Sequence, residues 1–141
     1  DPETQSVLPL MDFDFTAMCT AILNGTLKDF NMEWKPGYQV APVVVSGGYP
    51  AEYKKGCEIT FNEPLLKAST AKVFVAGAVS GRRGSGDMLT SGGRVLACSA
   101  YGSTFKEAWE KAYQGISAVK FEDAFYRKDI GLPGAAESGK L

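Results

Sequence analysis

Hydrophobic positions along the chain recur at two different periods, which predicts a mixture of helices and strands. The clearest helical pattern begins at Thr104, because Thr104 and Glu107 have the spacing of a capping box. The apolar positions that follow lie at i, i+3, i+4, i+7, i+11 and i+14 and form one stripe: Phe105, Ala108, Trp109, Ala112, Ile116 and Val119. A stripe of this kind faces a hydrophobic core. We therefore expect one long helix that covers the rest of the fold.

A second helical pattern lies near the start of the chain, between Asp12 and Asn24. Its apolar residues line one face of a helix: Phe15, Met18, Ile22 and Leu23. Gly25 follows at the position where a glycine commonly ends a helix. The sequence thus predicts a first helix before the β-rich part of the chain.

Runs rich in β-branched residues alternate with glycine-containing turns over the middle of the chain, which is typical of strands. The predicted strands are Gln39 to Ser46, Lys72 to Val79, a short piece at Met88 to Thr90, and Arg94 to Tyr101, and Phe121 to Ile130 is predicted as a closing strand or extended segment. The turn signals are short, as in antiparallel hairpins. The predicted fold class is therefore α+β, a mostly antiparallel β-sheet with a covering helix, preceded by one helix.

Composition and charge exclude several classes of function. The chain has 141 residues, which is enough for one ordinary hydrophobic core. Its 15 basic and 16 acidic residues give a net charge of -1, which offers no electrostatic support for nucleic-acid binding. No apolar run approaches the roughly 18 residues of a membrane span. We expect no nucleic-acid and no membrane partner.

Histidine and cysteine usage restricts the chemistry further. The chain contains 0 histidines, so it cannot build a Ser-His-Asp or Cys-His site or a histidine-containing zinc site. Its 3 cysteines are far apart, form no CxxC pair, and are expected to be buried, reduced thiols. This usage favours a cytoplasmic location.

The beginning of the chain is one candidate site, because Asp1 and Glu3 place two carboxylates beside the amide of Gln5. Such a group can hold a cation or an amine. The alternative interpretation is a solvated terminus with ordinary turn chemistry. The opening without an initiating Met also suggests a cut within a longer protein.

A second candidate is Gly92-Gly93-Arg94, where paired glycines let the backbone approach a ligand and Arg94 can form a bidentate contact with phosphate or carboxylate. A structural turn with a salt-bridged arginine is equally compatible with this pattern. The loop from Gly81 to Gly86 contains Arg82 and Arg83 but lacks the ending of a Walker A motif, so a mobile hairpin loop is favoured over a phosphate site.

Four segments together resemble the phosphoribosylamine–glycine ligase family, also called glycinamide ribonucleotide synthetase. They occur in the family's order and at similar intervals: Asp-Pro-Glu-Thr-Gln at 1–5, Ser-Gly-Gly-Tyr-Pro at 46–50, Gly-Gly-Arg-Val-Leu-Ala at 92–97, and Tyr-Arg-Lys-Asp-Ile-Gly at 126–131. The resemblance covers Asp1 to about Gly131 and corresponds to the last third or so of the family's length.

The resemblance implies the C-terminal part of an ATP-grasp ligase that joins phosphoribosylamine to glycine through a glycyl phosphate intermediate. ATP and Mg²⁺ would be bound by the upstream part of the polypeptide, so the chain would be inactive alone and would contain neither cofactor-binding nor metal-binding residues. Residues 1–30 would be the end of the ATP-grasp region, residues 31–131 a C-terminal β-rich domain, and residues 132–141 a flexible linker.

Site residues follow from the same resemblance, position by position. Asp1 and Glu3 would be catalytic, orienting substrate or the shell of the metal. Gly92, Gly93 and Arg94 would bind a phosphate or carboxylate of the substrate. The remaining two, Arg127 and Asp129, would support substrate binding as polar groups of the last motif. From the residues alone, the favoured interpretation of this segment is a charged surface strand end that Gly131 terminates.

The chain also departs from the family pattern. Phe74-Val75-Ala76-Gly77-Ala78 stands where the family usually has Phe-His-Ala-Gly-Thr, which puts any role of that histidine or threonine in doubt. The tail from Gly134 to Gly139 resembles a junction to aminoimidazole ribonucleotide synthetase, as in bifunctional or trifunctional purine-synthesis proteins. Two alternatives stay open: a stand-alone small-molecule-binding or protein-interaction module, and another ATP-grasp enzyme with a related C-terminal cap.

Overall fold

The structure is a computed structural model that describes residues 2–81 and 86–131. The helices of this part are α1 (Thr4–Val7), α2 (Phe15–Leu23), α3 (Glu63–Ser69) and α4 (Phe105–Ser117). The strands are β1 (Tyr38–Val40), β2 (Val43–Ser46), β3 (Glu58–Phe61), β4 (Lys72–Val75), β5 (Ala78–Ser80), β6 (Met88–Thr90), β7 (Arg94–Gly102), β8 (Val119–Lys120) and β9 (Ala124–Phe125). The predicted linker, residues 132–141, lies outside the described residues.

The strands form two antiparallel sheets. In the first, β7 is the long central strand: it pairs with β1 and β2 along one edge and with β4 along the other, and β9 continues the sheet beyond β2. The second sheet has the order β5, β6, β3, β8. The α+β class and the mostly antiparallel pairing predicted from the sequence are confirmed.

Helix α4 covers the first sheet, as the capping pattern predicts. The Thr104 hydroxyl accepts a hydrogen bond from the Glu107 N–H at 3.2 Å. The Glu107 carboxylate reaches back to the Ser103 N–H at 2.8 Å, one residue beyond the usual capping box. Four members of the predicted stripe are buried: Ala108, Ala112, Ile116 and Val119. Of these, Val119 lies in β8 rather than in the helix.

Helix α2 forms within the predicted range, and its N-terminus is capped by Asp14, whose carboxylate accepts from the Ala17 N–H at 2.8 Å. The predicted apolar face is mostly exposed, however. Phe15 is 50% exposed, Ile22 52% and Leu23 86%, whereas Met18 is half-buried, and the one buried residue of the helix is Ala21. Amphipathic spacing identified the helix correctly, but within the described residues most of this face is uncovered.

Two of the predicted strands are each divided into two. The run from Gln39 to Ser46 becomes β1 and β2, because Pro42, which has no N–H to donate, separates them. The run from Lys72 to Val79 becomes β4 and β5, which belong to different sheets. The chain changes sheets at Gly77, which packs closely against the backbone of residues 92–94. The closing segment predicted from Phe121 to Ile130 is a strand only over β9.

Candidate functional site

A cleft of about 320 Å³ opens beside β2, where the chain termini of the described part meet. Its lining is mostly apolar and comes from three separate stretches of sequence: Pro2; Ala41, Pro42, Val43, Val45 and Tyr49; and Phe125, Tyr126, Arg127 and Ile130. A smaller adjoining pocket of about 260 Å³ includes Glu3 beside Ile130 and Gly131. Apolar walls with a few polar groups at the rim are the usual construction of a small-molecule site.

The N-terminal segment is held against the sheet by a buried serine of β7. The Ser99 hydroxyl donates to the Gln5 carbonyl at 2.6 Å and accepts from the Gln39 side-chain amide, also at 2.6 Å. Ser99 is 1% exposed, so this contact fixes α1 to the interior of the fold. The preceding residues, Pro2 and Glu3, are thereby placed at the two pockets.

Glu3 lies within the electrostatic influence of Arg94, at the start of β7. The pKa of the Glu3 carboxyl is lowered by its own backbone N–H and further by the positive charge of Arg94. Two residues that are 91 positions apart in sequence, each nominated for the site, are therefore close enough to interact. Asp1, the other acidic candidate, lies outside the described residues.

The Tyr49 side chain joins the second and third motifs. A Cβ added at Gly93 would lie 2.6 Å from Tyr49 Cε2, so the absence of a side chain at residue 93 is what allows the Tyr49 ring its position. The Ser46 N–H also donates to the Gly93 carbonyl at 2.8 Å, and the Ser46 hydroxyl donates to the Gly92 carbonyl at 3.1 Å. These contacts set Tyr49 on the wall of the cleft.

Gly92 makes a close backbone contact with Gly77. A Cβ at Gly77 would lie 2.8 Å from the Gly92 Cα, and the Ser91 and Gly92 N–H groups both donate to the Gly77 carbonyl. The two glycines of the third motif thus pack against protein atoms. Gly92 contacts the backbone of Gly77, and Gly93 contacts the ring of Tyr49. The close contacts of both glycines are therefore with other parts of the fold, immediately before Arg94 at the start of β7.

The fourth motif places Arg127 at the cleft and pairs it with Asp129. The Arg127 guanidinium donates from Nε to Oδ1 at 3.0 Å and from an Nη atom to Oδ2 at 2.6 Å. The hydrogen bond from Arg127 lowers the pKa of the Asp129 carboxyl, and the same bond raises the pKa of Arg127. Both side chains are exposed, at 65% and 60%. The two side chains thus form an ion pair that is exposed to solvent at the cleft.

Three of the four sequence motifs supply residues that line the cleft or the adjoining pocket, and the third packs behind one of these residues. The first contributes Pro2 and Glu3, the second Tyr49, the third Gly93 behind the Tyr49 ring, and the fourth Arg127. Tyr49 was not predicted as a site residue, although it lies in the second motif. The apolar floor of the cleft, which β2 supplies, was not predicted either. The Gly-Gly-Tyr-Pro turn was the signal for Tyr49, whereas the floor could not be distinguished from ordinary core.

The rest of the described chain offers no metal cluster and no membrane-spanning helix. Within residues 2–81 and 86–131, no group of three acidic or cysteine side chains is arranged to hold a metal ion. Among the helices of that part of the chain, none has the length and apolar character needed to cross a bilayer. Cys19, Cys57 and Cys98, all in described positions, are free thiols, and the predicted burial is confirmed for Cys57 and Cys98, while Cys19 is half-buried.

Known proteins similar to this chain include phosphoribosylamine–glycine ligases and bifunctional purine biosynthetic proteins. The chain is 44% identical to phosphoribosylamine–glycine ligase of Caldanaerobacter subterraneus subsp. tengcongensis over 130 residues, which are 92% of this chain and 30% of that protein. It is 42% identical to a bifunctional purine biosynthetic protein of Schizosaccharomyces pombe, covering 92% of this chain and 16% of that protein. The chain thus spans about a third or less of these relatives.

A solved structure shares the fold. The crystal structure of phosphoribosylamine–glycine ligase from Thermotoga maritima matches 93% of this chain and 31% of that protein, with 35% identity and a TM-score of 0.70. A family profile described as phosphoribosylglycinamide synthetase, C domain, matches residues 39–133. Since that match covers most of the chain, the family predicted from the four motifs is confirmed, and the chain belongs to the phosphoribosylglycinamide synthetase C-domain family.

Proposed function

We propose that this chain forms one wall of the active site of a carbon–nitrogen ligase that joins phosphoribosylamine and glycine to give glycinamide ribonucleotide. The observation that carries the proposal is that three of the four motifs line one cleft or its adjoining pocket, while the third packs behind Tyr49. The identity to phosphoribosylamine–glycine ligases over more than nine-tenths of the chain supports it. The chain alone is proposed to be inactive, because it spans 30% of those ligases.

Within this site, cationic side chains are proposed to meet the anionic substrate. Arg127 is exposed at the cleft and already oriented by Asp129, so it can bind a phosphate or carboxylate without first losing side-chain freedom. Arg94, near Glu3, supplies a second positive charge. Glu3 can accept from the amine of a substrate, and Asp1 is proposed to assist it.

The glycines of the third motif are proposed to bind the substrate through the wall they shape, since Gly92 and Gly93 bring backbone close to Tyr49 and Arg94. A ribose ring with its phosphate is about the size of molecule that a cleft of about 320 Å³ accommodates. The apolar floor would exclude water beneath the ring.

ATP and Mg²⁺ are proposed to bind upstream of this chain in an ATP-grasp region, because this chain spans only 30% of the ligase that it matches. The exposed apolar face of α2 supports an interdomain contact: residues 1–30 are proposed to pack against that region, and residues 31–131 to form the C-terminal domain. Residues 132–141 are proposed to be a linker.

The location and fusion of the protein are also proposals. Three free thiols fit the reducing cytoplasm. Similarity to bifunctional purine biosynthetic proteins of Schizosaccharomyces pombe and Dictyostelium discoideum supports fusion to a second enzyme, for which aminoimidazole ribonucleotide synthetase is proposed.

The activity is tested with the longer polypeptide that contains this chain, by following ADP release. Release should require both phosphoribosylamine and glycine, and the 141-residue chain alone should give none. ADP release by the longer polypeptide that is independent of either substrate would contradict the proposed function. Activity of the isolated chain would contradict its role as one wall of a larger site.

The substrate contacts are tested with Arg127→Ala and its neighbour Lys128→Ala as the matched control. Loss of one charge-assisted contact of about 1.5–3 kcal/mol should lower kcat/KM for phosphoribosylamine at least tenfold in Arg127→Ala. The control should stay within about twofold, since Lys128 does not line the cleft. Arg94→Ala tests the second contact. If kcat/KM for phosphoribosylamine decreases by a factor of less than about three, worth under about 0.7 kcal/mol, Arg94 does not bind the substrate.

A further inference from the structure

The segment that carries Arg127 has no regular secondary structure of its own. Strand β9 ends at Phe125, and residues 126–131 continue as turns and irregular backbone along the cleft. Backbone in such a segment needs hydrogen-bond partners from outside it if it is to keep one conformation. The proposed site therefore depends on whatever fixes these residues.

Two aromatic side chains of α4 supply the partners. The Tyr113 hydroxyl donates to the Arg127 carbonyl at 2.7 Å and accepts from the Ile130 N–H at 3.1 Å. The Trp109 indole N–H donates to the Ile130 carbonyl at 3.1 Å. Three hydrogen bonds thus tie the segment to the helix.

The Tyr113 hydroxyl joins the Arg127 carbonyl and the Ile130 N–H, and these two residues are three positions apart, as in a β-turn. In a β-turn the carbonyl of the first residue and the N–H of the fourth bond to each other directly. Here the phenolic hydroxyl lies between the Arg127 carbonyl and the Ile130 N–H and bonds to both. The side chain of a distant helix closes the turn.

The aromatic rings are themselves well fixed. Trp109 and Tyr113 are one helical turn apart on α4, and their ring centroids are 4.4 Å apart. The Tyr126 ring also packs against Tyr113, with ring centroids 6.2 Å apart. Burial is the main influence that raises the pKa of Tyr113, so its hydroxyl keeps its proton and remains a donor at neutral pH.

We propose that Tyr113 is a positioning residue of the site, whose hydroxyl closes the Arg127–Ile130 turn and so orients Arg127 and Ile130 at the cleft. The identity of the substrate in this inference rests on the proposed function. The hydrogen bonds of Tyr113 to Arg127 and Ile130 do not depend on that function. Trp109 has the same role through the Ile130 carbonyl. Neither residue is proposed to touch substrate.

The test is Tyr113→Phe in the longer polypeptide, with Tyr101→Phe as the matched control. Both substitutions remove a hydroxyl that donates to a backbone carbonyl, but the Tyr101 hydroxyl bonds to Pro36, away from the cleft. In Tyr113→Phe the KM for phosphoribosylamine should rise about fivefold or more, with the KM for ATP within about twofold of the wild type. In Tyr101→Phe both should stay within about twofold.

Hydrogen exchange of the 126–131 backbone is the second readout. Exchange there should become at least about tenfold faster in Tyr113→Phe and stay unchanged in the control. If Tyr113→Phe fails to fold, Trp109→Phe keeps the Tyr113 turn and should give the same two changes. Unchanged exchange, or faster exchange without a rise in KM, would overturn the proposal. Wild-type polypeptide without ligase activity would instead overturn the proposed function.

Discussion

The aromatic ring of Tyr49 occupies the space that a side chain at residue 93 would need. A Cβ at Gly93 would lie 2.6 Å from Tyr49 Cε2 and 3.0 Å from Cγ, far inside van der Waals contact. Gly93 is buried, and its carbonyl also accepts from the Ser46 N–H, so the backbone there cannot retreat easily. The Tyr49 ring must move if residue 93 gains a side chain.

Gly93→Ala should therefore lower the free energy of unfolding by about 1–3 kcal/mol, the usual consequence of overpacking. Urea denaturation of the wild type and the variant measures this difference. The matched test is the same substitution in a Tyr49→Ala background, where the ring is gone. The loss caused by Gly93→Ala should then fall by more than half, and an equal loss in both backgrounds would show that the ring is not the cause.

Gly115, within α4, presents two opposing effects. Alanine is favoured over glycine in a helix by about 1 kcal/mol. The added Cβ, however, would lie 2.6 Å from the Ala71 Cβ and 3.3 Å from the Ser69 Oγ, in a fully buried position. We expect packing to outweigh propensity, so that Gly115→Ala destabilises the fold by about 1–2 kcal/mol. Thermal unfolding measures the sign.

Two further substitutions control for the effect of Gly115→Ala, one at the neighbouring Gln114 and one at Ala71, which the added Cβ would contact. Gln114→Ala, on the exposed side of the same helix, should change the free energy of unfolding by less than about 0.5 kcal/mol. Adding Ala71→Gly to Gly115→Ala should restore part of the lost stability. A stabilising effect of Gly115→Ala alone would mean that the α3–α4 contact relaxes without resistance.

Local sequence signals predicted the elements that local interactions determine. The Thr104 cap, the α4 stripe and the β7 strand all depend on residues within a few positions of each other, and each is present in the structure. Helix α3 was missed although Asn62 caps it and Pro64 lies in its first turn, because a helix of 7 residues with one buried residue has no detectable stripe.

Features that depend on distant contacts could not be predicted in this way. The division of a strand at Gly77 reflects its packing against Gly92, and the exposure of the α2 face reflects what surrounds that helix. Tyr113 bonds to Arg127 and Ile130, which follow it by 14 and 17 positions in the sequence. Four motifs with a family resemblance located the region of the site, whereas the partner of each side chain required the fold.

Glu107 should make stability depend on pH in the acid range. Hydrogen bonds from Lys111 and Ser103 lower the pKa of the Glu107 carboxyl from its ordinary 4.5 to about 2. Between these values the unfolded state binds more protons than the folded state, so stability falls as pH falls from about 4.5 towards 2. Glu107→Gln should flatten that part of the profile, measured by thermal unfolding across the range.

A matched control for Glu107 is Glu110→Gln on the same helix. Glu110 Oε1 is 3.8 Å from Lys106 Nζ, whereas Glu107 Oε1 is 2.7 Å from Lys111 Nζ. Glu110→Gln should therefore leave the wild-type slope between pH 4.5 and 2 nearly intact. Equal slopes in wild type and Glu107→Gln would mean that the capping carboxylate does not supply the acid sensitivity.

The three thiols should differ sharply in reactivity, because only one of them is accessible. Burial raises the pKa of Cys98 to about 12, and Cys57 is 6% exposed, whereas Cys19 is half-buried on α2. Thiolate is the reactive form, and an aromatic disulfide reagent must also reach it. At pH 8 one thiol of the folded chain should react rapidly with the reagent. All three thiols should react rapidly when the chain is unfolded in urea. Cys19→Ser should abolish the rapid phase, whereas a rapid phase that survives Cys19→Ser and disappears with Cys98→Ser would show that the central strand β7 opens readily.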